Sequence, residues 1–183
     1  SLLIEAEPRR MVRGMIEKWV PTLPFISLIF ARSGQVVGTR PNARALLKRG
    51  EALMVFPEGS RGIVKTIDRR YQLEPFGLGF MRLALETDTP IVPIGVVGAE
   101  EQLPSVYNAK GLARLFGMPG LPVCPNLIIP LPVKYRIYFG EPMRFSGDPD
   151  DEDRVIRDKV DTVSAAIDAL LQRGLSERNG LFH

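Results

Sequence analysis

A short loop after an apolar run holds the side chains best suited to chemistry. It reads Phe56-Pro57-Glu58-Gly59-Ser60-Arg61-Gly62. Pro57 fixes φ where the run ends, and Gly59 accepts a positive φ, so the chain can turn sharply and expose backbone N–H groups. Ser60 adds a hydroxyl, and Arg61 adds a planar set of donors that suits a phosphate. The loop therefore predicts an anion-binding site, although a solvated surface turn fits the same residues.

Three further features could join this site. Gly34 to Gly38 reads as a strand between two glycines, and it brings Arg40 to the entrance of a helix, a place that favours anions. Lys65 is a weaker phosphate candidate that rests on proximity to the loop alone. A second apolar run ends in the neighbouring carboxylates Glu100 and Glu101, for which a solvated turn is the simpler interpretation.

Histidine and cysteine are almost absent from the 183 residues. The single histidine, His183, is the last residue, so catalysis by a histidine base must use that terminal side chain or one outside this chain. The single cysteine, Cys124, cannot form an intramolecular disulfide or a cysteine-rich metal site, and its expected role is that of a small filler. We predict an intracellular protein with no metal site.

The net charge of +3 is unevenly distributed. Residues 1–50 carry nine basic and three acidic side chains, whereas residues 147–183 carry five basic and nine acidic ones. The basic first quarter suits anionic phospholipid or another phosphate-rich partner, with a solvated charged face as the alternative. The longest apolar run, residues 19–30, is too short for a membrane span and is interrupted by two prolines. Nucleic-acid binding is not expected, because basic and aromatic residues do not interleave.

Strand and helix patterns alternate along the chain, which predicts an α/β fold with a mixed, largely parallel sheet flanked by helices. The expected elements are amphipathic helical pieces at 8–31, a strand at 34–38, a helix capped by Thr39 and ending at Gly50, a buried strand at 52–56, a loop at 57–73, a helix at 74–86, a buried strand at 89–98 that its prolines place at an edge or split, a loop-like 101–132 with a helical turn near 112–116, a half-exposed strand at 133–139, and a helix from 148 to 174.

The order and spacing of these segments resemble the glycerophosphate/lysophospholipid acyltransferase family, of the 1-acylglycerol-3-phosphate type. The specific match is Phe56 to Arg61, and Gly34 to Arg40 and Ile91 to Ile94 match two weaker blocks. The resemblance implies a glycerolipid acyltransferase-like fold and one domain over 1–183, with a helix-rich basic segment at 1–32, an α/β core at 33–145 and a C-terminal helix at 148–174.

The resemblance also implies the chemistry. In that family an Asn-His…Asp block supplies the general base, and this chain has no such block, so we expect the His/Asp pair upstream of Ser1 and no catalytic residue here. The implied substrate-binding residues are Pro57, Glu58, Gly59, Ser60, Arg61, Arg40 and Lys65. Glu58 would orient the glycerol and Arg61 would pair with its phosphate.

The predicted function is transfer of a fatty acyl group from acyl-CoA or acyl carrier protein, the co-substrate, to a hydroxyl of a lysophospholipid or glycerol phosphate. No cofactor is expected. The chain alone is expected to be inactive, and the protein is expected to lie peripherally on the cytoplasmic face of a membrane. The alternative is a non-catalytic phospholipid- or phosphate-binding module that keeps the loops without the His/Asp pair.

Overall fold

The computed structural model describes residues 11–16, 35–109, 111, 113, 120–126, 129–178 and 180. The elements in chain order are β1 Val12–Ile16, β2 Val36–Val37, α1 Arg40–Lys48, β3 Ala52–Met54, α2 Ser60–Ile63, a 3₁₀ turn Ile67–Arg69, α3 Gly79–Thr87, β4 Ile94–Val97, α4 Ala99–Gln102, β5 Tyr107–Asn108, β6 Pro122–Val123, β7 Arg136–Phe139 and α5 Asp153–Ser176. The α/β class with a mixed set of strands and flanking helices is confirmed. None of the described helices has the length and hydropathy needed to cross a membrane.

A three-stranded parallel sheet in the order β2-β1-β3 leads into the predicted loop. The predicted amphipathic helix is wrong over residues 12–16, which form the central strand of this sheet. Met15 lies opposite Val36 in the register, and Arg13 lies opposite Leu53. Strand formation here depends on partners far away in the sequence, which helical periodicity does not reveal. Apart from Met11, the rest of the 8–31 segment lies outside the described residues.

The strand before the loop is shorter and more exposed than predicted. The apolar run at 52–56 was expected to be a buried strand, but β3 ends at Met54, and Met54, Val55 and Phe56 are exposed. Among the described strands β3 pairs with β1 alone, so it lies at an edge of the sheet. The loop therefore starts from an edge strand that water reaches.

Helix α1 forms as the sequence predicts. Thr39 is extended and its hydroxyl accepts the backbone N–H of Asn42, while Pro41 fits the first turn. Ala43 and Leu46 are buried against α3 and β3. The helix is thus fixed at its start by a local cap and along its length by an apolar face.

The main core lies between α3, α5 and the antiparallel pair β4–β7. Its fully buried side chains include Met81, Ile156, Val160 and Val163. The apolar seam predicted for the C-terminal helix is therefore confirmed.

The boundaries of two helices, α3 and α5, differ from the prediction. Helix α3 begins at Gly79 and not at residue 74, because Pro75 disfavours a helical conformation of Glu74 before it and Gly77 has a low helix propensity. Helix α5 begins at Asp153 and not at residue 148, because Pro149 disfavours a helical conformation of the residue before it, and it continues through Gly174 to Ser176. A Cβ at Gly174 would lie 2.7 Å from Val97 Cγ2, so this glycine allows the helix to approach the sheet closely and does not end it.

The second apolar run is split, as its prolines predict. Ile91 makes an isolated bridge with Met143, and β4 begins only at Ile94. Alternate residues of β4 are buried, so the strand is half-buried and not covered on both faces as expected. The half-exposed strand predicted at 133–139 is confirmed over Arg136–Phe139.

The regions expected to be loops contain short elements. The segment at 57–73 holds α2 and the 3₁₀ turn, and the segment at 101–132 holds the end of α4 and the pair β5–β6. Of the helical turn expected near 112–116, only residue 113 is described, and it is helical.

Candidate functional site

The loop after β3 turns sharply at Gly59, which has φ 59° and ψ −142°. This backbone conformation is essentially restricted to glycine, which confirms the predicted positive φ. The Gly59 N–H donates to the Phe56 carbonyl over 3.0 Å, and the Gly77 N–H donates to the Pro57 carbonyl over 2.9 Å. The loop is thus tied both to itself and to the segment that leads into α3.

The Glu58 side chain points inward from this turn. Its Oε1 accepts the backbone N–H of Glu74 over 3.0 Å, and only 16% of the side chain is exposed. Burial raises the pKa of the Glu58 carboxyl above its ordinary value, while the Glu74 N–H and the charge of Lys65 act in the opposite direction. A Cβ at Gly62 would collide with Glu58 Oε2, so the carboxylate lies directly over the Gly62 backbone.

Lys65 lies beneath the loop and not on its surface. Its side chain is 4% exposed, and Nζ donates to the Gln72 carbonyl over 2.8 Å. The same Nζ lies 2.9 Å from Glu100 Oε1 and 3.9 Å from Glu58 Oε2. The structure therefore brings the predicted loop and Glu100 together through one buried ammonium group.

Glu100 and Glu101 occupy α4, directly after β4, and have different partners. Glu100 Oε2 accepts the backbone N–H of Tyr71 over 2.8 Å. Glu101 is buried, and it pairs with Arg178 at the end of α5 and with Arg70 at 3.7 Å. The interpretation of this pair as a solvated turn is wrong for Glu101, since its carboxylate joins the loop region to the C-terminal helix.

Tyr71 is a structural residue that the sequence did not identify. It is buried with φ 60°, an uncommon conformation for a residue with a Cβ. Its hydroxyl oxygen accepts the Gly98 N–H over 2.7 Å, and the Arg178 guanidinium lies 6.0 Å from its ring centroid. Burial raises the pKa of the Tyr71 hydroxyl. No local signal distinguishes this tyrosine, because all of these partners are distant in the sequence.

Ser60 and Arg61 lie at the start of α2, and Ser60 is half-buried. Arg61 is exposed, and no carboxylate among the described residues lies within ion-pair distance of it. Its guanidinium donors are therefore directed to solvent within three residues of the inward-pointing Glu58. This contrast in exposure is the main geometric feature of the loop.

The structure gives Arg40 a partner outside the loop. At the start of α1, Arg40 Nε lies 3.4 Å from Glu86 Oε2, and Arg44 pairs with the same carboxylate of α3. No hydrogen bond or ion pair among the described residues joins Arg40 to the loop. The structure thus brings together Glu58, Lys65 and Glu100 but leaves Arg40 in a separate ion pair.

A cavity of about 260 Å³ lies next to the loop. Gly62, Lys65 and Glu100 line one part, and the apolar residues Leu103 and Pro122 line another, with Cys124 beside them. This volume is just below the range of about 300–1,000 Å³ that is typical of small-molecule sites. It is too small to hold a whole lipid.

Comparison with known proteins identifies relatives of this chain. The sequence profile of the acyltransferase family matches residues 1–97, just over half of the chain. A protein of Mycobacterium leprae with uncharacterised function is 36% identical over 97% of this chain and 52% of its own length. A Gallus gallus protein described as a DGAT1/2-independent enzyme synthesizing storage lipids is 23% identical over 90% of this chain and 48% of its own. This chain thus spans about half the length of these relatives.

A solved structure supports the same fold. The crystal structure of the 1-acyl-sn-glycerophosphate (LPA) acyltransferase PlsC from Thermotoga maritima matches with a TM-score of 0.56 and 17% sequence identity. The match covers 92% of this chain and 58% of that protein. At this identity the likeness describes the fold, and the chemistry must be argued from the residues of the loop.

Proposed function

The chain belongs to the acyltransferase family, and from this premise we propose that its loop holds the acceptor during transfer of a fatty acyl group to a lysophospholipid or glycerol phosphate. The observation that carries the proposal is the contrast between two side chains of one turn. Glu58 is directed inward, whereas Arg61 is exposed without a carboxylate partner among the described residues. An acceptor that carries a hydroxyl and a phosphate can be bound by this pair, because a carboxylate accepts from a hydroxyl and a guanidinium donates to a phosphate.

The roles follow from the chemistry of the groups. A Glu58 carboxylate oxygen accepts a hydrogen bond from a glycerol hydroxyl, and Arg61 donates to the phosphate. Pro57 and Gly59 shape the turn, and Ser60 supplies a backbone N–H and a hydroxyl donor. Arg40 remains a second phosphate candidate; to take this role it would have to leave Glu86.

In the proposed reaction the acceptor hydroxyl oxygen attacks the thioester carbonyl carbon. The carbon–sulfur bond breaks, and the proton of the hydroxyl finally resides on the thiol of CoA or of the carrier protein. The residues described here bind and orient the acceptor in this scheme. The expectation that a His/Asp pair acts as the base stays a prediction, since the only histidine of the chain, His183, lies outside the described residues.

Peripheral attachment to the cytoplasmic face of a membrane forms part of the proposal. The basic first quarter of the sequence supports it, because anionic lipid headgroups attract such segments. Flotation with vesicles that contain anionic lipid should carry the protein upward, and less of it should float at high salt. A protein that stays at the bottom of the gradient with every vesicle type would contradict membrane attachment.

The test of function uses Arg61→Ala in the reading frame that contains this chain, assayed with acyl-CoA and lysophosphatidic acid. Loss of a charge-assisted hydrogen bond of about 1.5–3 kcal/mol should raise the acceptor KM by tenfold or more. Arg144→Ala is the matched control, because its side chain is 69% exposed and its nearest carboxylate, that of Asp88, is 3.9 Å away.

Two further measurements define the acceptor and the alternative. Monoacylglycerol, which lacks the phosphate, should be a poorer acceptor than lysophosphatidic acid, and Arg61→Ala should reduce this difference. An unchanged KM in Arg61→Ala would assign Arg61 a role other than phosphate binding. Binding of the lipid without any turnover by the complete reading frame would favour the non-catalytic module.

A further inference from the structure

The Glu58 carboxylate is next to a charge pair, formed by the buried Lys65 and the partly exposed Glu100, that the proposed reaction does not use. Lys65 Nζ lies 2.9 Å from Glu100 Oε1 but 3.9 Å from Glu58 Oε2. The second distance is beyond the usual hydrogen-bond range of about 2.7–3.2 Å. The buried ammonium is therefore bonded to Glu100 and only electrostatically paired with Glu58.

The two oxygens of Glu58 are consequently not equivalent. Oε1 is engaged by the Glu74 N–H at 3.0 Å, whereas among the described residues no hydrogen-bond donor is in range of Oε2. If Lys65 moved closer by about 1 Å, it would donate to Oε2 and occupy the free oxygen. Its bonds to Glu100 Oε1 and to the Gln72 carbonyl hold it back from that position.

We propose that Lys65 and Glu100 are positioning residues that hold the Glu58 carboxylate in place while keeping its Oε2 free for a hydroxyl of the acceptor. This inference rests on the proposed function, because it assumes that the acceptor binds at the loop. Glu100 acts through Lys65, and Lys65 acts through its charge on Glu58.

Glu100 is well suited to this task because both of its oxygens are engaged. Oε1 binds Lys65, and Oε2 accepts the N–H of Tyr71, whose hydroxyl oxygen accepts the Gly98 N–H just before α4. The cavity beside the loop is lined by both Lys65 and Glu100. Neither Glu58 nor Arg61 is among the residues that line this cavity, so Lys65 joins the cavity wall to the Glu58 carboxylate.

The charged groups that face Glu58 make the inference testable. Burial raises the pKa of Glu58. The negative charges of Glu100 and Glu74 raise this pKa further, and the positive charge of Lys65 lowers it. Glu74 is itself paired with Arg69 at 2.8 Å. Lys65→Met removes a positive charge, so the pKa of Glu58 should rise, whereas Glu100→Gln should lower it. A loop that merely loosened would expose Glu58 and lower its pKa in both variants.

The experiment uses the 183-residue chain and two readouts. Carbon-13 NMR of labelled glutamate, with the Glu58 signal assigned by Glu58→Gln, gives its pKa. Calorimetric titration with glycerol 3-phosphate, a water-soluble acceptor, gives the Kd. Both Lys65→Met and Glu100→Gln should weaken binding by about fivefold or more. Glu177→Gln, a carboxylate of the same type that is paired with Arg173 at the end of α5, should change neither readout.

A double variant separates positioning from direct contact. If Glu100 acts through Glu58, then adding Glu100→Gln to Glu58→Gln should weaken binding by less than twofold. If the losses of binding in Glu58→Gln and Glu100→Gln add in the double variant, the inference is overturned. A lowered Glu58 pKa in Lys65→Met, or unchanged binding in both Lys65→Met and Glu100→Gln, would also overturn it. Failure of the wild-type chain to bind glycerol 3-phosphate would instead count against the proposed function, while the two pKa shifts would still test the charge pair.

Circular dichroism melts identify any variant that does not fold. Glutamine at residue 100 keeps a carbonyl oxygen to accept a hydrogen bond, so Glu100→Gln carries the test if Lys65→Met unfolds. In that case a Glu100→Gln chain that folds and binds as well as the wild type would refute the inference.

Discussion

Helix propensity and the tertiary structure predict opposite effects of Gly62→Ala on the free energy of unfolding. Gly62 lies inside α2, where alanine would ordinarily stabilise the helix by about 1 kcal/mol. The new Cβ would collide with Glu58 Oε2 and lie 3.1 Å from Glu58 Cβ, so the carboxylate must swing away. It would then lose its bond to the Glu74 N–H.

The magnitude follows from these two terms. A hydrogen bond to a charged group contributes about 1.5–3 kcal/mol. After subtraction of the helix gain, the free energy of unfolding should fall by about 0.5–2 kcal/mol. For a chain of this length that corresponds to a melting temperature lower by about 1–8 °C. The acceptor KM should rise in the same variant, because Glu58 leaves its place.

Gly79→Ala provides the matched control, and thermal melts followed by circular dichroism provide the assay. Gly79 is the first residue of α3, and a Cβ there would have no neighbour within 4 Å. Its replacement should leave the melting temperature unchanged or raise it slightly. A Gly62→Ala chain as stable as Gly79→Ala would refute the inward placement of Glu58.

The remaining predictions concern pH and packing. Because the pKa of Glu58 is raised, the folded state binds this proton more tightly than the unfolded state, so stability is lost as pH rises above the ordinary glutamate pKa. The stability of Glu58→Gln relative to wild type should therefore improve from pH 4 to pH 7. The stability of Glu177→Gln relative to wild type should worsen over the same range, because Arg173 lowers the pKa of Glu177. Denaturant melts of both variants and the wild type at pH 4 and pH 7 measure these two changes in stability. Gly174→Ala should reduce the free energy of unfolding by about 1–3 kcal/mol in the same melts, because its Cβ would overlap Val97, and unchanged stability would contradict the close approach of α5 to the sheet.

Several features of the protein could be predicted because their causes are local. Thr39 caps α1 through a residue three positions away, and the apolar seam of α5 repeats with the helical period. Gly59 has a positive φ because the loop must turn within a few residues of β3. The family could be identified from the same loop, since the residue types from Phe56 to Arg61 stand in one continuous string.

Other features could not be predicted because their causes are distant in the sequence. Residues 12–16 form a strand through pairing with β2 and β3, although their apolar spacing is helical. Tyr71 keeps an unusual φ because Glu100 and Gly98 bind its backbone and its hydroxyl from 29 and 27 residues away. Such contacts leave no periodic or compositional pattern in a single sequence.

The sequence by itself determined which groups are available at the loop: a carboxylate, a hydroxyl, a guanidinium and a flexible turn. Only the tertiary structure decided how these groups are used, with Glu58 turned inward, Arg61 exposed and Lys65 buried between two carboxylates. The physical reason is that burial and nearby charged or hydrogen-bonding groups set the pKa of a charged side chain and decide whether it is free to bind a ligand. Those groups come from segments separated by as many as 42 residues, which only folding brings within hydrogen-bond or ion-pair distance.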